Sequence, residues 1–599
     1  MEPQKRTQKK FVRRRFIRRP AVVHQGRTMA GKPTAQAPAA TGPVLKIMVL
    51  GGLEEVGRNM TVMEYANDII IIDMGLQFPE EDMPGIDYII NDISYFRGRE
   101  KNIRGVIITH GHYDHIGGVS HLIPRLGYPT IYTAPLTAAI LNKRHEEFDR
   151  KNKLAIQQVN PDKDKIQLGK FSIEFFRVNH NIPDSMGLAV TTPVGTVVHT
   201  GDFKIDFSPV NDKPIDLTHI AMIGSRGVLA LMSDSTDADS FGHQISEGDI
   251  GEDIEKIFAR AHGKIIVGTF ASLINRVQQL IDMAVKFNRK IYLDGRSMKS
   301  NVETAHGAGY LKIKPGTLVE EDEAKRLPPE KLVVVGTGAQ GEENAVLSRI
   351  ASNEHKFLSI NRGDTIIFSS SVIPGNERTI QSLKDTFCKQ GAKVFHYKMM
   401  DIHAGGHAKQ EDLKLMLRLI KPTYFIPIEA NRFMLEAHAN LAKKVGVPEQ
   451  NIFVATNGQV IEFFRHGKEV VGKLTKQQIP TEYIMVDGLG VGDVSNIVLR
   501  DRRMMSEDGM FVVIATVKRR SGELIGSPDI ISRGFVYLKE NKRLIEEARR
   551  LVKKICIDKS PDSPADSNNI KNKLREQVGS FLYKKTKRRP MVLPVVIEV

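Results

Sequence analysis

The 599-residue chain contains no tryptophan and only two cysteines, Cys388 and Cys556, which lie far apart in sequence. Two cysteines so far apart argue against a disulfide framework and a thiolate metal site, and they favour a reducing compartment such as the cytoplasm. The chain also lacks any run of about 18 apolar residues, so no membrane span is expected. Hydrophobic residues make up 41% and charged residues 26% of the chain, which is typical of a globular protein.

Acidic residues are nearly absent from the first 32 positions, which hold eleven Lys or Arg and the single acid Glu2. This segment supplies about ten of the sixteen net positive charges of the chain, and a Pro/Ala-rich stretch follows it at 33–43. Because such a sequence cannot bury apolar surface, residues 1–43 are predicted to be a disordered basic tail that binds a polyanion by counterion release. An organelle transit peptide and an inert solubilising tail are the alternatives.

The rest of the chain is long enough for about three or four folded units. Short apolar strands separated by turns predict a strand-rich sandwich after Gly42, and helices alternating with short apolar strands predict a largely parallel α/β unit further on. In the last unit, strands are predicted at 511–517 and 534–538. The expected division is a sandwich in two parts at 44–247 and 396–471, an inserted lobe at 248–395, a polar linker at 472–482 and a C-terminal domain at 483–599.

The strongest chemical signal is the sequence His110-Gly-His112-Tyr-Asp114-His115, which directly follows the apolar stretch Val106–Thr109. Three imidazoles and a carboxylate within six residues can wrap a divalent ion, since neutral His and ionised Asp are standard ligands of Zn²⁺. His180 and Asp202 follow later apolar stretches and could complete the ligand set, with Asp202 bridging two ions. A polar loop with incidental histidines and a strand-end turn residue are the plain alternatives for these positions.

From Leu45 to Val599 the chain resembles the ribonuclease J family, in the β-CASP branch of the metallo-β-lactamase superfamily. The segments that carry the resemblance are 50–60, 110–115, 179–185, 199–202, 233–236, 269–272, 295–298, 337–342, 368–377, 405–407, 528–536 and 586–590. The resemblance implies an α/β protein in which a metallo-β-lactamase αββα sandwich carries an inserted β-CASP α/β lobe and a small α+β C-terminal domain.

The resemblance also implies roles for particular residues. Two divalent ions are expected, Zn²⁺ first, with Mn²⁺ or Mg²⁺ as alternatives. The expected ligands are His110, His112, His180 and Asp202 for one ion and Asp114, His115, Asp202 and Glu429 for the other. Asp73 is expected to orient ligands, Asp234 to act beside the second ion, and His407 to protonate the leaving oxygen or contact the scissile phosphate.

Position 429 departs from the family pattern, because the family has a His after this strand and this chain has Glu429. Glu429 can bind a metal through oxygen, and it is expected to face Asp234, so that the two carboxylates would need a shared proton or a metal between them. Three outcomes follow: an active site with Glu429 as a ligand, an active site with a weak or single metal, or a catalytically impaired RNA-binding or complex-organising subunit.

The function that the resemblance implies is hydrolysis of RNA phosphodiesters in RNA maturation and decay, by 5′-to-3′ exonuclease action with a 5′-monophosphate preference and by endonuclease action. Expected partners are RNA, further copies of the chain in a homodimer or homotetramer joined by the C-terminal domain, and other RNA-degradation proteins. A small-molecule hydrolase and a DNA-directed nuclease are the rival functions. The expected phosphate-binding residues, in turns that point N–H groups at anions, are Ser272, Arg276, Ser369, Ser370, Ser371, Ala404, Gly405 and Gly406.

Overall fold

A computed structural model describes residues 42–599 apart from 81, 343–344, 373–375, 489, 493–495, 520–522, 537–540 and 558–566. The basic tail predicted for residues 1–43 therefore lies outside the described residues, except for Gly42 and Pro43. Within the described ranges, no helix is both long enough and apolar enough to cross a bilayer.

The first part of the chain is rich in strands. Strands β1 to β13 are Leu45–Gly51, Met60–Tyr65, Asp68–Ile72, Leu76–Gln77, Tyr88–Ile90, Ile103–Ile107, Ile131–Thr133, Ile156–Gln158, Lys165–Leu168, Phe171–Arg177, Met186–Thr191, Thr196–His199 and Ala230–Asp234. Helices α1 to α4 are Tyr113–Ile116, Val119–Leu122, Pro135–Phe148 and Leu217–Ser225.

Helices and strands alternate in the middle of the chain. Helices α5 to α10 are Glu247–Arg260, Ile274–Lys286, Arg296–Gly307, Glu321–Ala324, Val346–Ala351 and Glu377–Lys389, and strands β14 to β18 are Ile265–Gly268, Lys290–Leu293, Leu332–Gly336, Thr365–Phe368 and Lys393–His396. The last part has helices α11 to α15 at Gln410–Ile420, Arg432–Lys444, Asn496–Asp508, Lys542–Ile557 and Ser567–Thr586. Its strands, β19 to β26, are Tyr424–Ile428, Gln459–His466, Glu469–Gln478, Ile484–Asp487, Gly490–Val491, Met510–Val517, Asp529–Arg533 and Met591–Glu598.

Two large sheets form the sandwich. Their strand orders are β21-β20-β1-β2-β3-β6-β7-β8 and β19-β13-β12-β11-β10-β9. Alternate residues of facing strands, such as Ile47 in β1 and Phe175 in β10, share one buried core between the sheets. Helices α1, α2 and α3 pack on the outer face of the first sheet, and α4, α11 and α12 pack on that of the second. These four layers are the expected αββα arrangement, so the predicted fold class is confirmed.

The inserted lobe contains a separate five-stranded sheet of order β15-β16-β14-β17-β18. All of its pairings are parallel, and its apolar strands carry helices on both faces, as parallel sheets usually do. The sandwich strands β19, β20 and β21 follow this lobe in sequence, so the lobe interrupts the sandwich, as predicted.

Two local predictions differ from the structure. Residues 472–478, predicted to be part of a linker, instead extend β21, which pairs with β20. β21 is an edge strand with exposed Lys473 and Lys476, and such polar edge residues hide the alternation that marks a half-buried strand. Of the strand predicted at 534–538, residues 534–536 are not in a strand and residues 537–538 lie outside the described residues. The nearest strand lies earlier, at Asp529–Arg533, and the chain then turns at Gly534, which has a φ of 68°.

Candidate metal centre

Polar side chains cluster where parallel strands of the two large sheets end. In the first sheet β3 and β6 run parallel, and the chain continues from them into Asp73 and the loop 108–115. In the second sheet β12, β13 and β19 run parallel, and Asp202, Asp234 and Glu429 lie at or just after their ends. Because the two sheets face each other, these strand ends meet at one rim of the sandwich.

Four donor atoms at this rim form a first group. They belong to His110, His112, His180 and Asp202 and lie within 4.8 Å of one another. His112 Nδ1 is 3.2 Å from His110 Nε2 and 3.0 Å from His180 Nε2, and Asp202 Oδ2 is 3.6 Å from each Nε2. In a tetrahedral site with bonds of about 2.0–2.1 Å, the ligand atoms are roughly 3.3–3.4 Å apart. The spacing of the four atoms therefore fits one small divalent ion.

A second group of donors shares one oxygen with the first. His115 Nε2 lies 3.3 Å from Asp202 Oδ2 and 3.4 Å from Asp114 Oδ2. Burial alone would raise the pKa of Asp202, but the charge of the His115 ring outweighs burial and holds it well below its usual value, so this carboxylate is ionised. Since Asp202 Oδ2 faces both groups, it is placed to bridge two ions.

Asp73 lies behind the second group and fixes the ring of His115. Asp73 Oδ2 accepts a hydrogen bond from His115 Nδ1 at 2.8 Å, and Asp73 Oδ1 accepts one from the main-chain N–H of Thr109 at 2.8 Å. A proton on Nδ1 leaves the lone pair on Nε2, which is the atom that faces Asp114 and Asp202. This geometry suits the predicted orienting role of Asp73, which stays a prediction.

The protonation states of the histidines in the cluster allow them to bind cations. Burial lowers the pKa of His110 and His180 well below the usual value, so both rings are neutral and able to bind a metal. Burial also disfavours the charged form of His115, but Asp202 and Asp114 outweigh it and raise the pKa of His115 well above its usual value. A divalent cation would take the place of that proton.

Glu429 is buried and reaches the second group from β19. It adopts a φ of 60°, and its side chain lies within 4.8 Å of donor atoms of Asp73 and His115. Burial and the negative charge of Asp202 raise the pKa of Glu429 well above its usual value. Glu429 Oε2 and Asp202 Oδ1 are buried and have no hydrogen-bond partner among the described residues. Buried oxygens without a partner suit a cation, and the structure groups Glu429 with His115, which belongs to the second group. The role of Glu429 as a ligand of the second ion stays a prediction.

Asp234 does not pair with Glu429 as expected. His407 Nδ1 donates to Asp234 Oδ2 at 2.8 Å, and the main-chain N–H of Thr236 donates to Asp234 Oδ1 at 2.9 Å. Thr236 Oγ1 lies between the two positions, 2.7 Å from Asp234 Oδ1 and 2.9 Å from the main-chain oxygen of Glu429. Strands β13 and β19 pair side by side, with Asp234 opposite Ile428, and the charge of Asp234 contributes to the raised pKa of Glu429. The carboxylate of Asp234 is nevertheless hydrogen-bonded to His407, which comes from another segment.

His407 faces the cluster from the segment 402–407. Its ring centroid is 5.0 Å from that of His180. Burial disfavours the imidazolium form, but Asp234 and Asp202 outweigh burial and raise the pKa of His407 to about 10. In the same segment, the carbonyl of Gly406 accepts a hydrogen bond from His180 Nδ1 at 2.7 Å. That bond leaves His180 Nε2 free of its proton and directed at the first group.

The predicted phosphate-binding residues lie at different depths. Ser272 is half-buried, Ser371 is exposed, and Gly405 is half-buried beside Gln244. The others are buried, and the structure gives several of them protein partners: Arg276 Nη1 and Ser369 Oγ both donate to the carbonyl of Ile402, and Ser370 Oγ accepts from Gln340. Their roles toward phosphate stay predictions. The buried ones are Arg276, Ser369, Ser370, Ala404 and Gly406.

A cavity of about 320 Å³ opens beside His112 and runs between the sandwich and the inserted lobe. Its walls include Ser272 and the aromatic rings of Phe78, Tyr113 and Phe270. Phe78 is 68% exposed and Tyr113 is 42% exposed. Reasoning from the sequence missed these rings, although Tyr113 stands inside the metal motif between two predicted ligands. A flat ring exposed beside a metal cluster can stack on a planar group.

Three family models match the chain: the metallo-beta-lactamase superfamily over residues 53–245, the ribonuclease J beta-CASP domain over 262–387 and the ribonuclease J C-terminal domain over 497–599. Ribonuclease J 1 of Streptococcus pyogenes is 40% identical over 551 residues, which cover 92% of this chain and 97% of that protein. The chain belongs to the ribonuclease J family. Ribonuclease J2 of Bacillus subtilis is 37% identical over 93% of this chain and 99% of that protein, and Ribonuclease J 2 of Staphylococcus epidermidis is 35% identical over 93% and 98%.

Membership of the ribonuclease J family and the two donor groups together support the binding of divalent metal. Family membership confirms the resemblance drawn from the sequence and supports a hydrolytic ribonuclease. It does not favour the catalytically impaired subunit that Glu429 suggested, since the donor groups contain every other ligand position that the family motif implies.

The close approach of Gly406 to His180 allows a test of ligand orientation. A Cβ at position 406 would stand 2.5 Å from His180 Cε1 and 2.6 Å from Asn181 Nδ2. We expect Gly406→Ala to displace the His180 ring and to weaken metal binding by about 10–100-fold, the usual effect of disturbing a group that holds a metal ligand. Metal titration monitored by isothermal calorimetry measures this loss.

The matched control is Gly307→Ala, at the end of α7, where an added Cβ meets nothing within 4 Å. Unchanged metal affinity in Gly406→Ala would contradict the role given to the Gly406 carbonyl.

Proposed function

We propose that the protein hydrolyses RNA phosphodiesters at the two donor groups, as a 5′-to-3′ exonuclease that prefers a 5′-monophosphate and also as an endonuclease. The observation that carries the proposal is the single oxygen Asp202 Oδ2, which faces both groups of donor atoms. Membership of the ribonuclease J family supports RNA as the substrate. The direction of cutting and the preference for a 5′-monophosphate rest on the family resemblance.

Two ions are proposed for the site. His110, His112, His180 and Asp202 would hold the first ion, and Asp114, His115, Asp202 and Glu429 the second. Zn²⁺ suits the imidazole-rich first group, whereas the oxygen-rich second group also suits Mn²⁺ or Mg²⁺. When bound, two divalent ions lower the pKa of a water molecule and stabilise negative charge on a phosphodiester.

The residues around the ions have separate tasks. His407 is proposed as the general acid, which gives a proton to the leaving 3′ oxygen. Asp234 accepts a hydrogen bond from His407 Nδ1 and so directs the opposite ring nitrogen, Nε2, away from itself. Asp73 and the Gly406 carbonyl hold His115 and His180 with their Nε2 atoms toward the donor groups.

The cavity beside His112 is proposed to receive the RNA. Its exposed rings Phe78 and Tyr113 offer stacking surfaces for bases, and stacking on an aromatic side chain contributes about 1–3 kcal/mol per base. Phosphates of the same strand would pass Ser272, Ser371 and Gly405, which are accessible. The buried phosphate candidates Arg276, Ser369, Ser370, Ala404 and Gly406 would act by shaping the turns around them.

Metal analysis of the purified protein together with decay of a 5′-monophosphorylated RNA tests this proposal. We expect about two divalent ions per chain and loss of nucleotides from the 5′ end, faster than for the same RNA with a 5′-triphosphate. A circular RNA of the same sequence isolates the endonuclease action, because it has no 5′ end. Absence of RNA cleavage by protein that carries two ions would contradict the proposed function.

The assembly is proposed to be a homodimer or homotetramer joined by the C-terminal domain. Within that domain, the sheet β25-β24-β26 packs one face on α14 and α15. Its other face carries Ile531, Val595 and Ile597, which are 40%, 41% and 45% exposed. A face of this kind favours contact with another copy. Light scattering of the intact chain measures the state, and a monomer at micromolar concentration would contradict it.

The domain division 44–247, 248–395, 396–471 and 483–599 is kept as a proposal that the matched family regions support. A cytoplasmic location is proposed because the chain has only two cysteines, Cys388 and Cys556, which lie far apart in sequence. Other RNA-degradation proteins are proposed as partners from the family resemblance, and co-purification from cells that make the tagged chain is the test.

A further inference from the structure

A buried network of charges joins the sandwich to the inserted lobe. Lys204 Nζ lies 3.2 Å from Glu247 Oε1, and Arg276 Nη2 lies 2.7 Å from Glu247 Oε2. Lys204, Glu247 and Arg276 are 1%, 4% and 1% exposed. A buried charge of this kind persists only when it is paired and hydrogen-bonded, and removing one partner is costly.

The network sits where the chain enters and leaves the lobe. Glu247 is the first residue of α5, where the chain crosses from the sandwich into the lobe, and Ile402 follows β18, where the chain crosses back. These two points are called the entry crossing and the exit crossing. Arg276 contacts both crossings, because Nη2 donates to Glu247 and Nη1 donates to the carbonyl of Ile402 at 2.5 Å. One guanidinium therefore ties the two crossings together.

Arg276 has its donors engaged within the protein. Nε donates to Gln279 Oε1 at 2.6 Å, and Nη1 also contacts Ser369 Oγ. Burial alone would raise the pKa of Glu247, but Arg276 and Lys204 outweigh burial and lower it to about 2, so the ion pair is complete at neutral pH. This side chain is built into the protein rather than presented to a ligand.

The exit crossing leads directly into the active-site segment 402–407. The carbonyl of Ile402 is held by Arg276 and by Ser369 Oγ, and the carbonyl of His407 accepts from Gln244 Nε2 at 2.9 Å. His407 then reaches Asp234 from the far end of this segment. The first residue of the segment is therefore fixed by the lobe, and the last by the sandwich.

We propose that Arg276 and Glu247 are positioning residues, which hold the segment 402–407 so that His407 stands at the leaving oxygen of the substrate. The inference rests on the proposed function, in which His407 is the general acid. It gives Arg276 a task other than phosphate binding. The orientation of the inserted lobe is thereby coupled to the placement of the acid.

The test compares two substrates that differ in their need for an acid. RNA has a leaving 3′ oxygen that must be protonated, whereas bis(p-nitrophenyl) phosphate releases p-nitrophenolate without a proton. For Arg276→Met and for Glu247→Gln we expect kcat on RNA to fall about 10–100-fold with KM changed less than about threefold, and activity on bis(p-nitrophenyl) phosphate to fall less than about threefold. His407→Ala should show the same dependence on the leaving group, and bound metal should remain as in the parent protein.

The matched control is Lys264→Met. Lys264 and Asp364 form another buried ion pair of the same lobe, 3.1 Å apart, that does not contact the segment 402–407. This variant should lose stability in a thermal melt and keep its kcat on RNA. If Arg276→Met does not fold, Arg276→Lys serves in its place, because a lysine keeps the charge beside Glu247 but cannot also reach Ile402 in the same geometry.

Equal losses on both substrates in Arg276→Met, with His407→Ala still discriminating between them, would overturn the positioning role alone. Equal losses in His407→Ala would overturn the general-acid role and the inference that depends on it. A kcat on RNA in Arg276→Lys that stays as low as in Arg276→Met would support the inference, since the lysine restores the charge beside Glu247 but not the contact with Ile402. A parent-like kcat in Arg276→Lys would overturn it.

Discussion

Asp202→Ala is expected to lower RNA cleavage at least about a thousandfold, because it removes the one oxygen that faces both donor groups. His112→Ala should have an effect of the same order through the first group alone. Both variants should keep their fold and most of their RNA affinity, since the strands that carry the cluster are buried in the sandwich core. Single-turnover cleavage of a labelled RNA measures the chemical step, and a gel-shift titration measures binding.

The matched control for these variants is His121→Ala. His121 lies in α2 a few residues after the metal motif and its ring contacts Tyr88 OH at 2.7 Å, outside both donor groups. It should cleave RNA at nearly the parent rate. Parent-like turnover by Asp202→Ala with its metal content verified would refute the two-ion arrangement.

Glu429→Ala is expected to lower bound metal from about two ions to about one per chain and to reduce cleavage about a hundredfold or more. The reason is that the second group then keeps only Asp114, His115 and the shared Asp202. Glu429→His, which restores the family residue, should retain activity and move the metal preference toward Zn²⁺, because imidazole is the softer ligand. Inductively coupled plasma mass spectrometry measures the metal content and competition between Zn²⁺ and Mn²⁺ measures the preference.

Backbone strain must be separated from ligand loss at this position, because Glu429 has a φ of 60°. Asparagine tolerates this left-handed conformation well, so Glu429→Asn is the matched control: it keeps the backbone, shortens the side chain by one methylene and replaces the carboxylate with a neutral amide. It should lose metal as Glu429→Ala does. Two tightly bound ions and most of the activity in Glu429→Ala would mean that Glu429 is not a ligand.

The fold and most of the donor positions could be predicted from the sequence for a local reason. His110, Asp202 and Glu429 each follow a short apolar strand, so the pattern alone places them at strand ends. The carboxyl ends of parallel neighbours lie at the same edge of a sheet, which brings such residues together. The family motifs supplied the order in which they belong.

The contacts that the sequence did not reveal join segments far apart in the chain. Asp234 bonds His407 across 173 positions, and Arg276 bonds Ile402 across 126. Neither contact has a local signature, because each joins segments that only the folded chain brings together. Strand β21 was missed for another reason, since the charged residues of an edge strand resemble those of a linker.

The order of the strands also has a consequence for the chain during its synthesis. Strand β19, which Glu429 directly follows, joins the second sheet only after the whole inserted lobe has been made, and His407 emerges from the ribosome shortly before it. A nascent chain that ends within the lobe already contains Asp73, the segment 110–115 and Asp202, but it lacks both His407, the proposed acid, and Glu429, the proposed last ligand. Because domains form in step with translation, a growing chain attached to its own messenger RNA cannot assemble the complete proposed site until more than two thirds of its length has been translated.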